Sequence, residues 1–377
     1  MSGHSHPKKT VVIIGGGAAG HQIAYQLRDA ARVMLVDPKT YWEVPMALPR
    51  LLSDPKSLPA RIPYSSFLGA AQHIQGRVTA LSDTTAKVTL NNGQEKLITF
   101  HYAVIATGSA SLDPLIKAQT LTEADRAAEI QAFHDKLRKA HSVVIVGAGP
   151  VGVETAAELR ETLPRLNVTV VHSKQQILTT APGKFAGWAE TDLKNKGVRL
   201  VLGETVTSPA VGEQPADGKV IISSGQTLSA EAVIWATGTR PVTSFVADSW
   251  PDAVQPDGLV RVDRYLRVAG HPAIFAVGDV TNLPENRLAI VAGLHVKSVV
   301  ANLKRLIDAP ALSQISLKPY KPTVPGKGMG KLMIVSLGRH DGLSSLPFGQ
   351  FRASFFARKI KSHDMLVGMS RKAVGLK

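Results

Sequence analysis

Three glycines near the start of the chain have the type and spacing needed to hold a phosphate group. Gly15, Gly17 and Gly20 stand in the order G-x-G-x-x-G directly after the apolar run 10–14, and a short apolar helix is predicted behind them. The first glycine of such a turn permits a tight bend, the second lets the backbone approach a pyrophosphate, and the third lets helix and strand pack closely. Asp37 ends the next apolar run, at the distance where a carboxylate accepts hydrogen bonds from an adenosine ribose. These residues predict a dinucleotide site.

The same pattern occurs a second time. Gly147, Gly149 and Gly152 follow another apolar run in the same order. Because each turn holds one pyrophosphate, the repeat predicts two bound dinucleotides. Here the next strand ends in His172 rather than in an acid, with Lys174 close behind. This change weakens selection for a free ribose 2′-hydroxyl and tolerates a 2′-phosphate, so the choice between NADH and NADPH stays open.

Further apolar runs end in small residues, where parallel strands present ligands at the edge of a sheet. A helix predicted from Ala289 to Ile307 places Gly293 in its first turn, where amide dipoles would face an anionic ring. His172, His295 and His340 are interpreted as binding or packing groups. The residues expected to meet ligands at strand ends are Ala106, Thr107, Gly108, Gly238, Gly278 and Asp279.

The repeated order of strand, glycine turn and helix predicts an α/β fold with two doubly wound dinucleotide-binding units. The runs AVIATGS and AVIWATGT close both units alike, so we expect the second unit to be inserted into the first. Short antiparallel strands are predicted at 73–81, 86–90 and 96–100, and a polar helix at 122–140. The predicted domains are residues 1–112 and 241–309 for the first unit, 113–240 for the second, and 310–377 for a small C-terminal α+β domain.

The composition narrows the chemistry. The chain of 377 residues contains no cysteine, which excludes a redox dithiol, cysteine-ligated zinc and a cysteine-held iron–sulfur cluster. The motifs G-x-S-x-G and H-E-x-x-H do not occur, so we predict neither a serine nucleophile turn nor a metal site. The formal net charge of +15 indicates an anionic partner: cofactor phosphates, membrane head groups, nucleic acid or an acidic protein. We expect a cytoplasmic protein, with attachment to a membrane surface as an alternative.

The chain resembles the ferroptosis suppressor protein branch of the apoptosis-inducing-factor-like NAD(P)H:quinone oxidoreductases. These are glutathione-reductase-like flavoproteins, and type II NADH dehydrogenases are related to them. The resemblance covers nearly the whole chain and is carried by the paired glycine turns and by the segments LVDPK, ALPR, GPVGVE, VVHS, AIVAGLHVKSVVANL, YKP and LGRHDG. It implies FAD in the first unit and NADH or NADPH in the second. It also implies hydride transfer from the nicotinamide to flavin N5, followed by transfer of two electrons to a quinone.

The resemblance also implies roles for single residues. Glu154 matches an acid beside the nicotinamide, and Lys361 matches a lysine that reaches the flavin from the C-terminal segment, so both are catalytic candidates. Arg50 is expected to pair with a pyrophosphate or a ring carbonyl. The residues implied to contact FAD are Gly15, Gly16, Gly17, Ala18, Ala19, Gly20, Asp37, Arg50, Val78 and Asp279, and those facing NAD(P)H are Gly147, Gly149, Gly152, Glu154, His172 and Gly238.

The C-terminal segment is predicted to contain a linker at 309–330, a strand at 331–337 and a helix from Phe348 to Lys361. Its apolar residues fall at helical spacing among basic ones, which suits docking on a membrane surface, the mouth of a quinone tunnel, or ordinary packing on the flavin unit or a dimer partner. Monomer and homodimer both stay open.

Two other functions remain compatible with these residues. A reductase for a small acidic carrier such as a ferredoxin would also need FAD, NAD(P)H and a basic face. An NAD(H)-sensing protein that binds nucleic acid or a protein partner would make use of the positive charge. We favour the quinone reductase, because the basic residues are spread through the chain rather than gathered in a tail.

Overall fold

The computed structural model describes residues 7–181, 183–309, 316–352 and 361–377 as strands joined by helices and turns. No helix within these residues is both long and apolar enough to cross a membrane. The strands are β1 (Thr10–Ile14), β2 (Arg32–Val36), β3 (Tyr41–Glu43), β4 (Arg61–Pro63), β5 (Gln72–Ile74), β6 (Gly76–Leu81), β7 (Thr85–Leu90), β8 (Glu95–Thr99), β9 (Tyr102–Ile105), β10 (Ser109–Ala110), β11 (Ser142–Val146), β12 (Asn167–His172), β13 (Arg199–Leu202), β14 (Val206–Ser208), β15 (Lys219–Ile222), β16 (Thr227–Ser229), β17 (Ala232–Trp235), β18 (Arg240–Pro241), β19 (Arg267–Val268), β20 (His271–Ala276), β21 (Met333–Ser336), β22 (Gly342–Leu346) and β23 (Gly349–Phe351). The helices are α1 (Gly20–Leu27), α2 (Leu48–Ser53), α3 (Glu123–Lys139), α4 (Pro150–Thr162), α5 (Phe185–Asn195), α6 (Ser244–Ser249), α7 (Ala289–Asp308) and α8 (Val367–Lys372).

The first sheet has the strand order β19–β20–β9–β1–β2–β5, and its strands are parallel except for β19. Every residue of β1 is buried. Val11 and Ile13 lie in the core that α1 and α7 cover, whereas Val12 and Ile14 lie in a second core under β6, β7 and β8. Because both faces of the strand are covered, its sequence is a continuous apolar run rather than an alternating one.

The second sheet repeats this design with the parallel order β13–β12–β11–β17. In β11, Val143 and Ile145 lie in the helix-covered core, and Val144 and Val146 pack toward the antiparallel strands β14, β15 and β16. The first sheet contains strands that precede the second unit in the sequence and strands that follow it, since β20 pairs with β9. The two connecting chains pair as the ribbon β10–β18. The predicted α/β fold with an inserted second unit is therefore confirmed.

The prediction of a single strand at 73–81 is wrong. Residues 72–74 form β5, which joins the first sheet parallel to β2, while β6 starts a separate antiparallel meander with β7 and β8. The chain changes sheets at Gly76, where a Cβ would lie 2.6 Å from the carbonyl oxygen of Thr89. The predicted polar helix is confirmed as α3, and the Thr122 hydroxyl accepts from the Asp125 N–H at its start.

The C-terminal segment differs from the predicted helix at 348–361. Residues 349–351 form β23, which pairs with β22 in an antiparallel hairpin, and β22 pairs with β21. The remainder of that prediction, 353–360, lies outside the described residues. Pro347 and Gly349 flank the exposed Phe348 at the tip of the hairpin, and these two residue types favour a turn over a helix.

The part of the predicted linker that the structure describes is fixed to the first unit. The Glu285 carboxylate accepts from the Tyr320 hydroxyl at 2.8 Å and from the Thr323 backbone and hydroxyl. The buried Asn302 side chain of α7 bonds the backbone of Lys318 in both directions. Side chains of the first unit thus hold residues 318–323 by hydrogen bonds, although the composition of this segment alone indicates a flexible connection.

Candidate functional site

The first glycine turn is shaped by contacts that leave no room for a side chain at Gly15 or Gly20 but leave room at Gly17. Gly15 has φ +94°, and a Cβ on it would lie 2.7 Å from the carbonyl oxygen of Ala106. A Cβ on Gly20 would lie 1.8 Å from the Gly15 carbonyl oxygen, because α1 packs directly on the turn. At Gly17 the nearest atom would be 3.9 Å away. The turn is therefore closed on the protein side and open above Gly17, which fits a pyrophosphate against the backbone.

The second turn has the same construction. Gly147 has φ +105°, and its Cβ would lie 2.4 Å from the carbonyl oxygen of Ala236. A Cβ on Gly152 would lie 1.9 Å from the Gly147 carbonyl oxygen, and nothing lies within 4 Å of a Cβ on Gly149. Two open backbone cradles of one design therefore fit two dinucleotides.

Asp37 closes the first cradle. One oxygen of its buried carboxylate accepts from the Gly16 N–H at 2.6 Å, and the other accepts from the Lys39 N–H at 2.9 Å. The Tyr64 hydroxyl donates to the Gly16 carbonyl oxygen from the far side. Burial and the nearby Asp37 carboxylate raise the pKa of Tyr64, so this phenol stays a donor. The acid predicted to meet a ribose thus also fixes the turn.

His172 occupies the corresponding place in the second cradle. Its Nδ1 accepts from the Ala148 N–H at 3.3 Å, which puts the ring proton on Nε2. This Nε2 is buried and has no hydrogen-bond partner among the described residues. Burial, together with the positive charge of Lys174, lowers the pKa of His172, which favours the neutral ring. Within the part of the chain that the structure describes, this donor is therefore left without a partner beside the second turn.

Asp279 lies in a small polar cluster beside the ends of the first sheet. Its carboxylate accepts from the Ser109 hydroxyl at 2.7 Å and lies 3.7 Å from the Lys117 ammonium. Burial lowers the pKa of Lys117, and the Asp279 carboxylate opposes this change. The sequence analysis did not predict that Ser109 and Lys117 are neighbours of Asp279. Ser109 directly follows the strand-end motif Ala106–Gly108, and this position was the one available signal for it. No sequence signal pointed to Lys117.

The structure also gives the local surroundings of the other predicted cofactor-binding residues. The Gly278 N–H donates to Nδ1 of His295, whose Nε2 donates to Glu285, so this histidine orients the Asp279 loop. Thr107 donates to the Val242 carbonyl oxygen at 2.6 Å. Gly108, Gly238 and Gly293 would each have open space around an added Cβ, Ala18 and Ala19 precede α1, and Val78 lies buried in β6.

The two catalytic candidates form an ion pair. The Lys361 ammonium donates to Oε1 of Glu154, 207 positions away in the chain. Both side chains are buried; Glu154 also accepts from the Ser336 N–H at 2.8 Å, and Lys361 donates to the Ile334 carbonyl oxygen at 3.1 Å. Burial raises the pKa of Glu154, and the Lys361 ammonium opposes this change. Sequence reasoning predicted each residue separately but not their contact.

Arg50 is placed differently from the prediction. Its guanidinium binds Glu158 at 3.0 and 2.6 Å and donates to the carbonyl oxygens of Ser362 and His363 at 2.7 and 2.9 Å. In this structure a buried carboxylate and two carbonyl groups therefore take the place of the expected pyrophosphate or ring carbonyl. One sequence signal for the Arg50–Glu158 pair was available. Glu158 follows Glu154 by four positions, so both carboxylates lie on one face of α4.

Comparison with known proteins agrees with these features. The model of the pyridine nucleotide-disulphide oxidoreductase family matches residues 9–295. Ferroptosis suppressor protein 1 of Xenopus tropicalis is 33% identical over 377 residues, covering 97% of this chain and 96% of the relative. Apoptosis-inducing factor homolog B of Dictyostelium discoideum is 28% identical, covering 96% and 95% of the two chains. The solved structure of NDH2 from Plasmodium falciparum in complex with NADH has a TM-score of 0.75 at 16% identity, covering 94% of this chain and 93% of that one.

The curated relatives match nearly the whole chain. The chain has no cysteine, so it cannot carry out the disulphide chemistry that the family name describes. The paired cradles are the features that it shares with enzymes that bind FAD and NAD(P)H. The chain therefore belongs to the pyridine nucleotide-disulphide oxidoreductase family, as an FAD- and NAD(P)H-dependent oxidoreductase related to the ferroptosis suppressor and apoptosis-inducing factor proteins.

Proposed function

We propose that this oxidoreductase passes electrons from NAD(P)H through FAD to a quinone. The observation that carries the proposal is the buried Glu154–Lys361 pair at the start of α4, directly behind the second of two nucleotide cradles. With no cysteine in the chain, electrons cannot continue to a protein dithiol and must leave for an external acceptor. The resemblance to quinone-reducing flavoproteins favours a quinone.

FAD, when bound, supplies the redox chemistry by taking two electrons from NAD(P)H and releasing them to the acceptor. The residues of the chain bind and orient the reactants. The turns 15–20 and 147–152 would hold the two pyrophosphates, Asp37 the adenosine ribose of FAD, and Asp279 a ribityl hydroxyl. Such positioning converts an encounter of two nucleotides into a reaction within one complex.

The Glu154–Lys361 pair would handle a proton. The Lys361 ammonium is held by Glu154 and by the Ile334 carbonyl oxygen, so the N–H that has no partner among the described residues can point toward an acceptor that gains electrons. Glu154 orients this ammonium, and its charge keeps the proton on nitrogen until the acceptor becomes basic. We assign the proton donor role to Lys361 and the orienting role to Glu154.

The second cradle also bears on the choice of nucleotide. His172, whose buried Nε2 has no partner among the described residues, and Lys174 two residues on support a site that offers a donor and a cation to the ribose 2′ position. Neither group repels a 2′-phosphate, as an acid would. We therefore propose that NADPH is accepted alongside NADH.

The test is steady-state and stopped-flow kinetics of the purified, FAD-loaded protein, with NADH and NADPH crossed against short-tailed and long-tailed quinones and a ferredoxin. We expect rapid two-electron reduction of at least one quinone. Rapid reduction of ferredoxin with inert quinones would favour a ferredoxin-type reductase. Negligible NAD(P)H turnover with steeply salt-dependent DNA binding would favour the nucleic-acid-binding alternative.

A Glu154→Ala variant tests the site itself. It should retain FAD, because Glu154 lies at the second cradle, and should reduce its flavin more slowly with NAD(P)H, because the acid implied beside the nicotinamide is lost. Flavin content and the rate of flavin reduction measure the two effects separately. Loss of the flavin from this variant would show a structural role instead.

A further inference from the structure

A second buried ion pair lies one helical turn beyond Glu154. Glu158 follows Glu154 by four positions on α4, so both carboxylates lie on one face of the helix. Glu154 forms an ion pair with Lys361, and Glu158 forms one with Arg50 of α2. The side chains of Arg50 and Glu158 are 3% and 0% exposed, which is deeper than an ordinary surface ion pair. A buried pair of this kind needs additional hydrogen bonds to be stable.

Arg50 makes those additional bonds to the backbone directly after Lys361. Its Nη2 donates to the Ser362 carbonyl oxygen at 2.7 Å, and its Nη1 donates to the His363 carbonyl oxygen at 2.9 Å. One guanidinium therefore joins α2, α4 and the C-terminal segment. The Ser362 hydroxyl adds a second attachment by donating to the Asp341 carbonyl oxygen at 2.9 Å.

This arrangement fixes the stretch of backbone from which the Lys361 side chain starts. A lysine side chain has several rotatable bonds, and its ammonium holds a defined place only if its own backbone is held. We propose that Arg50 is a positioning residue, which holds the backbone of Ser362 and His363 so that the Lys361 ammonium stays on Glu154. This inference rests on the roles proposed above for Glu154 and Lys361.

An arginine is required for this task. The Glu158 carboxylate takes two parallel N–H bonds from the planar fork, and the same group still has donors for two carbonyl oxygens. A lysine offers one point charge and cannot serve four acceptors lying in different directions. Arg50→Lys should therefore keep the charge but loosen the Lys361 segment.

A cavity of about 260 Å³ lies beside this arginine and supplies a route for a chemical probe. It is lined, among the described residues, by Arg50, Ser57, Leu58, Arg339, His340 and His363. A free guanidinium ion is small enough to enter a space of this size. In an Arg50→Ala variant, added guanidinium can therefore replace the lost group, and urea and sodium chloride serve as neutral and ionic controls.

The decisive experiment is an epistasis test in the FAD-loaded protein, with stopped-flow measurement of flavin reduction by NAD(P)H and of flavin reoxidation by the acceptor. Because removing one partner of a buried pair destabilises a protein, the main variant is the double change Arg50→Met and Glu158→Leu, which replaces the pair by apolar groups of similar size. Lys361→Met defines which half-reaction depends on the lysine. Glu161→Gln, on the exposed last turn of α4, is the matched control, because its amide oxygen can still accept from the Arg339 N–H that the carboxylate binds.

We expect the double variant to keep its flavin and to slow the half-reaction that Lys361→Met slows, by about 10-fold to 100-fold. Added to Lys361→Met, it should cause no further slowing, because positioning acts through the lysine. Guanidinium should restore part of the rate of Arg50→Ala, and Arg50→Lys should be slow. A merely structural arginine would lower stability without this dependence on Lys361.

If Lys361→Met is slow, either of two results overturns the role of Arg50 and leaves the role of Lys361 standing. The first is a wild-type rate in the Arg50→Met and Glu158→Leu variant. The second is a combined variant whose fold-slowing is the product of the fold-slowings of that variant and of Lys361→Met. Wild-type rates of Lys361→Met in both half-reactions would remove the proposed role of the lysine and this inference with it. The control Glu161→Gln should match the wild type throughout.

Discussion

The two glycine turns share one backbone design but are closed by different side chains. In the first, the Asp37 carboxylate accepts from the Gly16 N–H at 2.6 Å, and in the second, Nδ1 of His172 accepts from the Ala148 N–H at 3.3 Å. A hydrogen bond to a charged acceptor is shorter and stronger than one to a neutral ring. The backbone of the first turn is therefore held more firmly by its closing side chain than that of the second.

The turns also differ at the residue that follows their third glycine. In the first turn this is His21, which is fully buried and stacks on Trp42 with ring centroids 3.9 Å apart. In the second it is Val153, which is also fully buried. The apolar residue shows that the fold does not need a titratable group here. The difference places one additional buried titratable group, His21, at the first turn.

The largest effect should come from filling the open centre of each turn. A Cβ has room at Gly17 and at Gly149, so Gly17→Glu and Gly149→Glu should both fold, but each places a negative charge against the phosphates. Repulsion of several kcal/mol weakens binding on the order of 100-fold or more. We expect a colourless, inactive Gly17→Glu protein and a yellow Gly149→Glu protein with a strongly raised KM for NAD(P)H.

Absorbance spectra and NAD(P)H titrations separate these outcomes. Gly187→Glu is the matched control, since it also has open space at its Cβ but lies exposed in α5. Equal flavin content in both turn variants would contradict the assignment of FAD to the first turn.

The next effect concerns the closing side chain of the first turn. Asp37→Ala removes the acceptor for the Gly16 N–H and the proposed acceptor for the ribose. Hydrogen bonds to charged groups contribute roughly 1.5 to 3 kcal/mol, so FAD affinity should fall by about 10-fold to 100-fold. Dialysis followed by measurement of flavin content, with Asp37→Asn as the milder variant, checks this. Full retention of FAD by Asp37→Ala would rule out a ribose role.

A smaller effect should follow from making the second turn resemble the first. His172→Asp introduces a carboxylate that accepts from a ribose 2′-hydroxyl and repels a 2′-phosphate. We expect the ratio of kcat/KM for NADH over NADPH to rise by about tenfold. His172→Asn, which stays neutral, should leave the ratio nearly unchanged. An unchanged ratio in the Asp variant would place the 2′ position elsewhere.

The features that define these turns were predictable because their chemistry is local. The strain at Gly15 and the close approach at Gly20 arise within one strand, one turn and one helix, so spacing along the sequence is enough to find them. The same holds for the helix α3, whose Thr122 cap is a signal confined to four residues.

The contacts that complete the site were not predictable in this way. Arg50 meets Glu158 from 108 positions away and Ser362 from 312 positions away. No local pattern records such contacts, since they depend on how α2, α4 and the C-terminal segment pack together. For the same reason Arg50 was assigned to a ligand, and the contact between Glu154 and Lys361 was missed.

The smallest expected effect uses His21 to test the acid response of the first unit. Burial lowers the pKa of His21 from 6.5 to about 4, and its hydrogen bond to the Gly17 carbonyl oxygen opposes this change. The unfolded chain therefore binds a proton here that the folded protein does not bind. The resulting stability is present above pH 6.5 and is lost as the pH falls from 6.5 toward 4.

Replacing His21 by the valine found at this place in the second turn should remove that loss. Between about pH 7 and pH 5 the wild type should lose about 2 kcal/mol of unfolding free energy that His21→Val retains. Urea denaturation at both pH values measures the difference, and His141→Gln, at a highly exposed histidine, should behave as the wild type does. If His21→Val lost as much stability as the wild type, acid would act on the first unit through another group, and the histidine at the turn would be a packing residue only.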